Sequence, residues 1–459
     1  MQATGRQAVS AVSRSPMAAL LIVGLGTSVV PLDSAVNIGF PAIVAHFALP
    51  IPMIQWIVIA YVLTQTALML TFGRAGDMLG YRRIFLIGTG VIAVAFVACA
   101  LAPSYAALLA ARFLQGIGAG LILSCGPALA TSLFPEAMRT RILGTYMMMF
   151  GIGFALGPTV FGVLVDRFGW SAVFSFRAPL AFVAFLLAWT LPRQPRGERE
   201  RFDTAGGVLL AAGLSFLLLT LNRLWPPGLL TVLFAVLAAA SFVLFHRQER
   251  RAPQPIIDFA FFGRAGFTLV NVMNVVINVA AFAIMLLAPF YLSRIPGLSL
   301  PQAGLLLGLS PLGIVLAAPV AGRVTGRIPP RVVALVGCAL SAAGLCGISL
   351  AGAPAGIPLL AGSMLVQGFG LGLFQVAYFD IVTAVIPARN RGVAGALGMA
   401  TRTIGTVTGA TVLMLVFQSL QAAGIGFTAA FQATFRIAAA LPVALILADL
   451  ARGWRAGEN

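Results

Sequence analysis

The sequence predicts an all-α polytopic membrane protein with fourteen transmembrane helices. Apolar segments recur from Met17 to Leu450, each near the roughly 20 residues that a helix needs to cross a hydrocarbon core about 30 Å thick. Of the 459 residues, 60% are hydrophobic and only 9% are charged, too few charges to clothe a soluble protein of this size. The basic residues lie mostly in alternate connections between the apolar runs.

The runs give six crossings at 17–40, 52–72, 84–101, 105–130, 142–164 and 172–191. Arg6 and Arg14 precede the first run and superficially suggest a secretory leader. That run is too long for a leader's apolar region, so an uncleaved first spanning helix is expected. An arginine-rich connection, Arg193 to Arg201, then leads to two crossings at 204–221 and 228–246. A second connection, 247–265, holds Arg247, Arg250, Arg251 and Arg264. Six more crossings fit at 267–292, 302–322, 332–351, 357–383, 393–418 and 429–449.

Charge placement supports an even number of crossings. All 29 basic residues are arginine, against 12 acidic residues. With the amino terminus inside, the inner connections and tails collect twenty-two arginines, while the outer ones hold only Arg167, Arg223 and Arg294. Dropping one span would reverse every later connection, so both termini are expected in the cytoplasm. The arginines build no long cationic stripe with interleaved aromatics, which argues against a nucleic-acid partner. Membrane lipids are the expected surroundings. The four cysteines, Cys99, Cys125, Cys338 and Cys346, fall in apolar segments without metal-ligand or disulfide spacing. No Walker loop, hydrolytic triad or metal-ligand cluster is visible, so the chain is not expected to be an enzyme, and neither cofactor nor metal is expected.

Two loops repeat across the halves. Gly73-Arg74-Ala75-Gly76-Asp77 runs on through Gly80-Tyr81-Arg82-Arg83, and Gly322-Arg323 runs on to Arg331. Both return to arginine nine residues after the first glycine, but Gly326 stands where Asp77 would lie. Matching positions in two halves are a mark of transporter repeats. The first copy resembles the signature loop of the major facilitator superfamily. Further motifs resemble its fourteen-span drug:proton antiporter family: Leu32-Asp33-Ser34-Ala35-Val36-Asn37 followed by Pro41, the spacing of Trp56 and Tyr61, and Arg112-Phe113-Leu114-Gln115-Gly116. Gly153-Phe154-Ala155-Leu156-Gly157-Pro158 with Gly162 resembles the antiporter motif of its fifth helix. Phe202-Asp203, Pro301-Gln302-Ala303-Gly304, and Gly392 through Gly395, Arg402, Gly405 and Gly409 continue the likeness. The chain departs from the family segment around Trp170, where Ser171 follows the tryptophan and Arg177 stands near a usual asparagine.

The resemblance implies a major facilitator fold: an N-terminal six-helix bundle in 1–191, a linker region with two additional transmembrane helices in 192–265, and a C-terminal six-helix bundle in 266–459. It implies a proton-coupled exporter of an amphipathic organic compound or drug in a bacterial-type inner membrane, working by alternating access. A small organic substrate and protons would be its partners, and the proton gradient its energy source. Two alternatives remain open: a carrier for uptake or facilitated release of an organic anion, and a non-transport receptor or assembly scaffold. Oligomeric state is not readable.

An ionisable group inside a membrane span is costly, which makes it a functional candidate. Asp33, Arg112, Asp380 and Arg402 are the proton-coupling candidates, with a structural cap as the alternative for Asp33 and an interhelical pair with Arg402 as the alternative for Asp380. Trp56, Tyr61, Gln115 and Arg177 are the substrate-binding candidates, with bundle packing or lipid binding as alternatives. Asp77, Arg82 and Arg83 are expected to latch the cytoplasmic end, and Gly153, Gly157 and Pro158 to allow close helix approach and bending.

Overall fold

The computed structural model describes residues 16–49, 53, 55–192, 203–223, 228–252, 256, 259–263, 265–292, 294–298, 300–324, 327–350, 356–387 and 390–452. Arg6, Arg14, the connection Arg193–Arg201, Phe202, Arg264 and Gly326 lie outside them, as do the side chains of Pro158 and Pro301. Among the described residues there is no strand. Lipid offers the backbone no hydrogen-bond partner, and a helix satisfies its own N–H and C=O groups.

The first crossing is broken. Helix α1 (Pro16–Ser28) gives way to a 3-10 turn at Pro31–Ala35, and α2 (Val36–Phe47) resumes the path. Pro31 has no N–H to continue an α-helical ladder, and i→i−3 bonds such as Asp33 N to Val30 O at 3.1 Å close the turn. Sequence reading predicts one continuous run here; the break places Asp33 on a turn instead.

The next segments are α3 (Gln55–Leu79), α4 (Tyr81–Ala100), α5 (Tyr105–Ser132) and α6 (Arg139–Phe168). Gly80 alone separates α3 from α4, at φ 93°, a conformation that glycine adopts without a Cβ clash. The sixth predicted crossing divides into α7 (Ala172–Ser175) and α8 (Arg177–Ala188). Then come α9 (Thr204–Asn222) and α10 (Leu229–Glu249), and Asp203 caps α9 by accepting from Gly206 N at 2.9 Å. The last six are α11 (Ala265–Leu292), α12 (Leu300–Val324), α13 (Pro330–Leu350), α14 (Gly356–Val385), α15 (Arg391–Ala422) and α16 (Phe427–Arg452).

Among the described residues, twelve helical segments are long and apolar enough to cross a membrane. The 30-residue α6 and the shorter apolar stretch Ala172–Ala188 occupy the fifth and sixth predicted crossings. Within the N-terminal part, α5 packs on α3 and α4, and α8 packs on α4. Within the C-terminal part, α14 packs on α12 and α13, while α15 packs on α11. The two parts meet where α15 crosses α3 and α5, and where α12 lies along α6. Helix α9 rests on α3 and pairs with α10, whose Val232, Leu233 and Val236 are exposed, as suits a lipid-facing surface.

At the second copy of the repeated loop, Arg331 pairs with the fully buried Asp449 of α16, with Nη2 to Oδ2 at 2.8 Å. Sequence reading passes over Asp449 as an intramembrane acid. Breaking a buried pair leaves an uncompensated charge, so Arg331→Met should cost about 3 kcal/mol of stability. Thermal unfolding in detergent should show the loss. Adding Asp449→Leu should recover much of it, because the orphaned carboxylate is then gone.

Candidate functional site

Asp33 sits on the turn between α1 and α2, where the backbone is already diverted from helical geometry. Three side chains from two helices converge on its carboxylate. From α5, Arg112 donates through Nη1 to Oδ1 at 2.7 Å and through Nη2 to Oδ2 at 2.8 Å, a two-pronged pair. Gln115, one turn further along α5, donates to Oδ1 at 2.8 Å and accepts from Arg112 Nη1 at 2.8 Å. From the first turn of α8, Arg177 donates to the same Oδ1 at 3.0 Å. Both guanidiniums are fully buried. Arg112 also donates from Nε to the Ile57 carbonyl at 3.0 Å. Aromatic rings complete the surroundings, with Arg112 4.6 Å from the Tyr61 centroid and Arg177 4.6 Å from that of Phe96.

Close approach of α6 makes the turn possible. A Cβ on Gly153 would collide with the Ser28 carbonyl, and one on Gly157 would lie 2.6 Å from Ser34 Oγ. Pro158 follows on α6. Small residues there let α6 lie directly against the interrupted first crossing.

Asp33 and Arg112 face a cavity of about 420 Å³ between the N- and C-terminal helices. Tyr61 and Gln65 of α3, Phe150 and Phe154 of α6, and Asn278 of α11 also line it. From the C-terminal part, α15 contributes Met399, Arg402 and Thr406. Trp56, Gln115 and Arg177 are not in the wall. Trp56 instead lies 6.0 Å from the Arg223 guanidinium, while Gln115 and Arg177 stand behind Asp33.

The expected pair between Asp380 and Arg402 does not form. Asp380 accepts from Arg139 Nη2 at 3.0 Å and from Thr140 Oγ1 at 2.7 Å, both on α6. Arg402 lies eleven residues into α15, about 16 Å along its axis, and stacks 4.5 Å from the Phe150 centroid. The two residues are at different depths.

Asp77 is placed differently from the expected charge latch. It accepts from the backbone N–H of Gly392 at 2.7 Å and of Val393 at 3.2 Å, and from Tyr81 Oη at 2.8 Å. These amides belong to the first turn of α15, where helical N–H groups lack internal partners and the helix dipole favours an anion. Arg82 donates to the Trp189 carbonyl at 2.6 Å, and Arg83 is exposed. Gly73 and Gly392 permit the crossing, since a Cβ on Gly73 would lie 2.6 Å from the Gly392 carbonyl. Arg74 adds a bond to Asn390 Oδ1 at 3.3 Å. Nearby, Glu136 accepts from Arg391 and from Arg139. The hydrogen bond from Arg391, with both arginine charges, holds the Glu136 carboxyl below the usual glutamate range despite slight burial.

A polar ladder in the C-terminal part escapes sequence reading. Asn274 donates to Thr401 Oγ1 at 2.8 Å and accepts from Gln375 at 3.1 Å. Asn278 donates to the Asn274 carbonyl at 2.7 Å, and Tyr378 donates to Asn271 at 2.8 Å. The available signal was the spacing of Asn271, Asn274 and Asn278, which puts three amides on one side of an apolar helix.

An interrupted helix carrying a charge cluster, set beside a largely apolar cavity with a few polar and charged groups between two helical parts, defines a multi-pass membrane carrier. The sequence pattern of the Major Facilitator Superfamily matches residues 17–248 and 270–457. The chain belongs to this superfamily, and it is a secondary transporter and not an enzyme. The riboflavin transporter RibZ of Clostridioides difficile is 29% identical over 405 residues, covering 87% of this chain and 88% of that protein. The tetracenomycin C resistance and export protein of Streptomyces glaucescens is 32% identical over 411 residues, covering 88% and 76%. The human organic anion transporter MFSD10 shares the fold, with a TM-score of 0.67 at 15% identity over 95% of this chain and 100% of that one.

Asp77→Ala should remove both amide contacts at the start of α15 and loosen this end by about 1–2 kcal/mol. In a cysteine-free background, the distance between spin labels at Ala137 and Ala384 should lengthen and broaden. The Glu136 link should behave differently with acid. Because its carboxyl titrates below the ordinary range when folded, its contribution is present above the unfolded value and disappears as pH falls through the lowered one. The difference in label distance between the unmutated chain and Glu136→Gln should therefore hold from neutral pH to about pH 5, near the upper edge of ordinary carboxylate titration.

Proposed function

We propose that this protein is a proton-coupled secondary exporter of an amphipathic organic compound, working by alternating access. The observation that carries the reading is the single carboxylate of Asp33, held by Arg112 and Arg177 at the wall of the central cavity. A proton reaching Asp33 would cancel the charge that ties α5 and α8 to the turn after α1. Arg112, Gln115 and Arg177 would then be free to exchange partners, and the helices around the cavity could repack. Binding of substrate and binding of a proton would thus bias the same packing choice.

In this reading the protein is a member of the fourteen-span drug:proton antiporter family. Residues 1–191 and 266–459 form the two moving bundles, with α9 and α10 in the intervening region. The arginine-rich connections face the cytoplasm, as do both termini. The contacts of Asp77 with α15, Glu136 with Arg391, and Asp380 with Arg139 belong to a state closed toward that side. Two relatives support export as the direction, the tetracenomycin C resistance and export protein and the methylenomycin A resistance protein of Streptomyces coelicolor.

The test uses purified protein in proteoliposomes with an imposed pH gradient and a transported compound identified by screening. Gradient-driven accumulation should disappear in Asp33→Asn, which keeps the shape and an amide oxygen but cannot cycle a proton. Counterflow of the same compound without a gradient should persist. Unchanged gradient-driven accumulation in the correctly folded variant rejects the assignment of the proton to Asp33.

A further inference from the structure

Arg402 is the one cavity residue whose charge the surrounding side chains leave unanswered. It projects from α15 into the cavity wall. Among the described residues it has no carboxylate partner and no side-chain hydrogen bond, and its guanidinium contacts the face of Phe150 at 4.5 Å. A guanidinium carries five N–H donors in a planar fork. Stacking on an aromatic ring fixes the plane and satisfies none of those donors. A charge left so in an apolar wall is costly, which marks it as awaiting an acceptor.

The charges around the cavity are unequal. Among the described residues Asp33 is its only acidic lining residue, and its carboxylate already accepts from Arg112, Gln115 and Arg177. A cation entering the cavity meets no free carboxylate, whereas an anion meets a free guanidinium. Much of the remaining wall is apolar, with Phe154, Phe282, Met285, Leu307 and Ile314 among its residues. A volume of about 420 Å³ suits a molecule of several fused rings.

We propose that Arg402 is the anion-receiving group of this cavity, and that the preferred substrates are amphipathic organic anions bearing a carboxylate or phenolate at one edge of an apolar body. The inference rests on the carrier reading above and names its substrate class. Phe150 holds the guanidinium plane, the exposed fork receives the anionic edge, and the apolar wall takes the rest of the molecule. Substrate thereby bridges α15 to the N-terminal helices without using the Asp33 carboxylate, which stays available to protons.

Two dyes with the same three-ring xanthene body provide the test. Fluorescein carries a carboxylate and a phenolate at mildly alkaline pH, while rhodamine 6G is esterified and cationic. Binding to the purified full-length chain is followed by fluorescence anisotropy with no proton gradient. Fluorescein should bind at least about tenfold more tightly than rhodamine 6G, the factor a charge-assisted hydrogen bond supplies. Arg402→Gln should lose about that factor for fluorescein and leave rhodamine 6G unchanged or tighter, whereas Arg402→Lys should keep most of the preference. Equal or tighter binding of rhodamine 6G, absence of fluorescein binding, or an equal loss of both dyes in Arg402→Gln overturns the proposal. If Arg402→Gln does not fold, the dye preference of the unmutated chain and its retention in Arg402→Lys decide the matter. The measurement is independent of proton coupling. Anion preference without gradient-driven flux would sink the coupling alone, and gradient-driven flux without anion preference would sink only the substrate class.

Discussion

One carboxylate in a low-dielectric interior organises the centre of this molecule. Asp33 cannot remain charged there without close partners, and it draws Arg112, Gln115 and Arg177 from two other helices. Each partner brings a structural consequence. Arg112 anchors α5 to the Ile57 carbonyl at the start of α3, and Arg177 begins α8 just after the sixth crossing is interrupted. The turn that bears Asp33 survives at membrane depth because it lies against protein and a cavity, not against lipid. Losing one member of such a buried cluster costs about 3–5 kcal/mol, since the opposite charge is left without compensation. The cluster is therefore a structural tie, and it is the point at which the proposed proton would act.

The contacts between the N- and C-terminal parts follow a second rule. Few of them are charge pairs of matched residues within one motif. Asp77 instead satisfies backbone amides at the start of α15, and Asp380 accepts from both Arg139 and Thr140. Helix starts supply unpaired donors wherever they occur, so a carboxylate at a helix crossing finds partners without requiring a basic side chain. Close glycine contact between Gly73 and Gly392 brings the backbones near enough for this. Such bonds can be exchanged for water when the parts separate, whereas a deep apolar interlock could not be opened at comparable cost. This chemistry suits the alternating motion proposed for the carrier.

Much of the element plan was legible because length and apolarity act locally. Helix positions α9 to α16 follow the predicted runs, whereas the glycine-rich segment read as a connection after residue 72 stays helical to Leu79, and Gly80 alone makes the turn into α4. The interruptions after Ser28 and at Phe176 were less visible, because the apolar pattern continues across both. Among the candidate residues, Asp33, Arg112, Gln115 and Arg177 form one cluster, although the sequence reading had divided them between proton and substrate roles. Rough depth along the chain suggests pairing Asp380 with Arg402, and the geometry separates them. Asn271, Asn274 and Asn278 were passed over because uncharged amides barely disturb an apolar run.

The sequence by itself determined that this chain lives in a membrane, how often its apolar runs recur, and which ionisable residues are expensive enough to matter. Those properties depend on composition within about twenty consecutive residues, the span a bilayer imposes on a helix. Only the tertiary structure decided which charges meet. Arg112 and Arg177 are 79 and 144 positions from Asp33, and whether a guanidinium faces a carboxylate or an open cavity depends on the rotation and crossing of whole helices. That difference separates Arg177, which meets a carboxylate, from Arg402, which meets none among the described residues, two arginines that look alike along the chain.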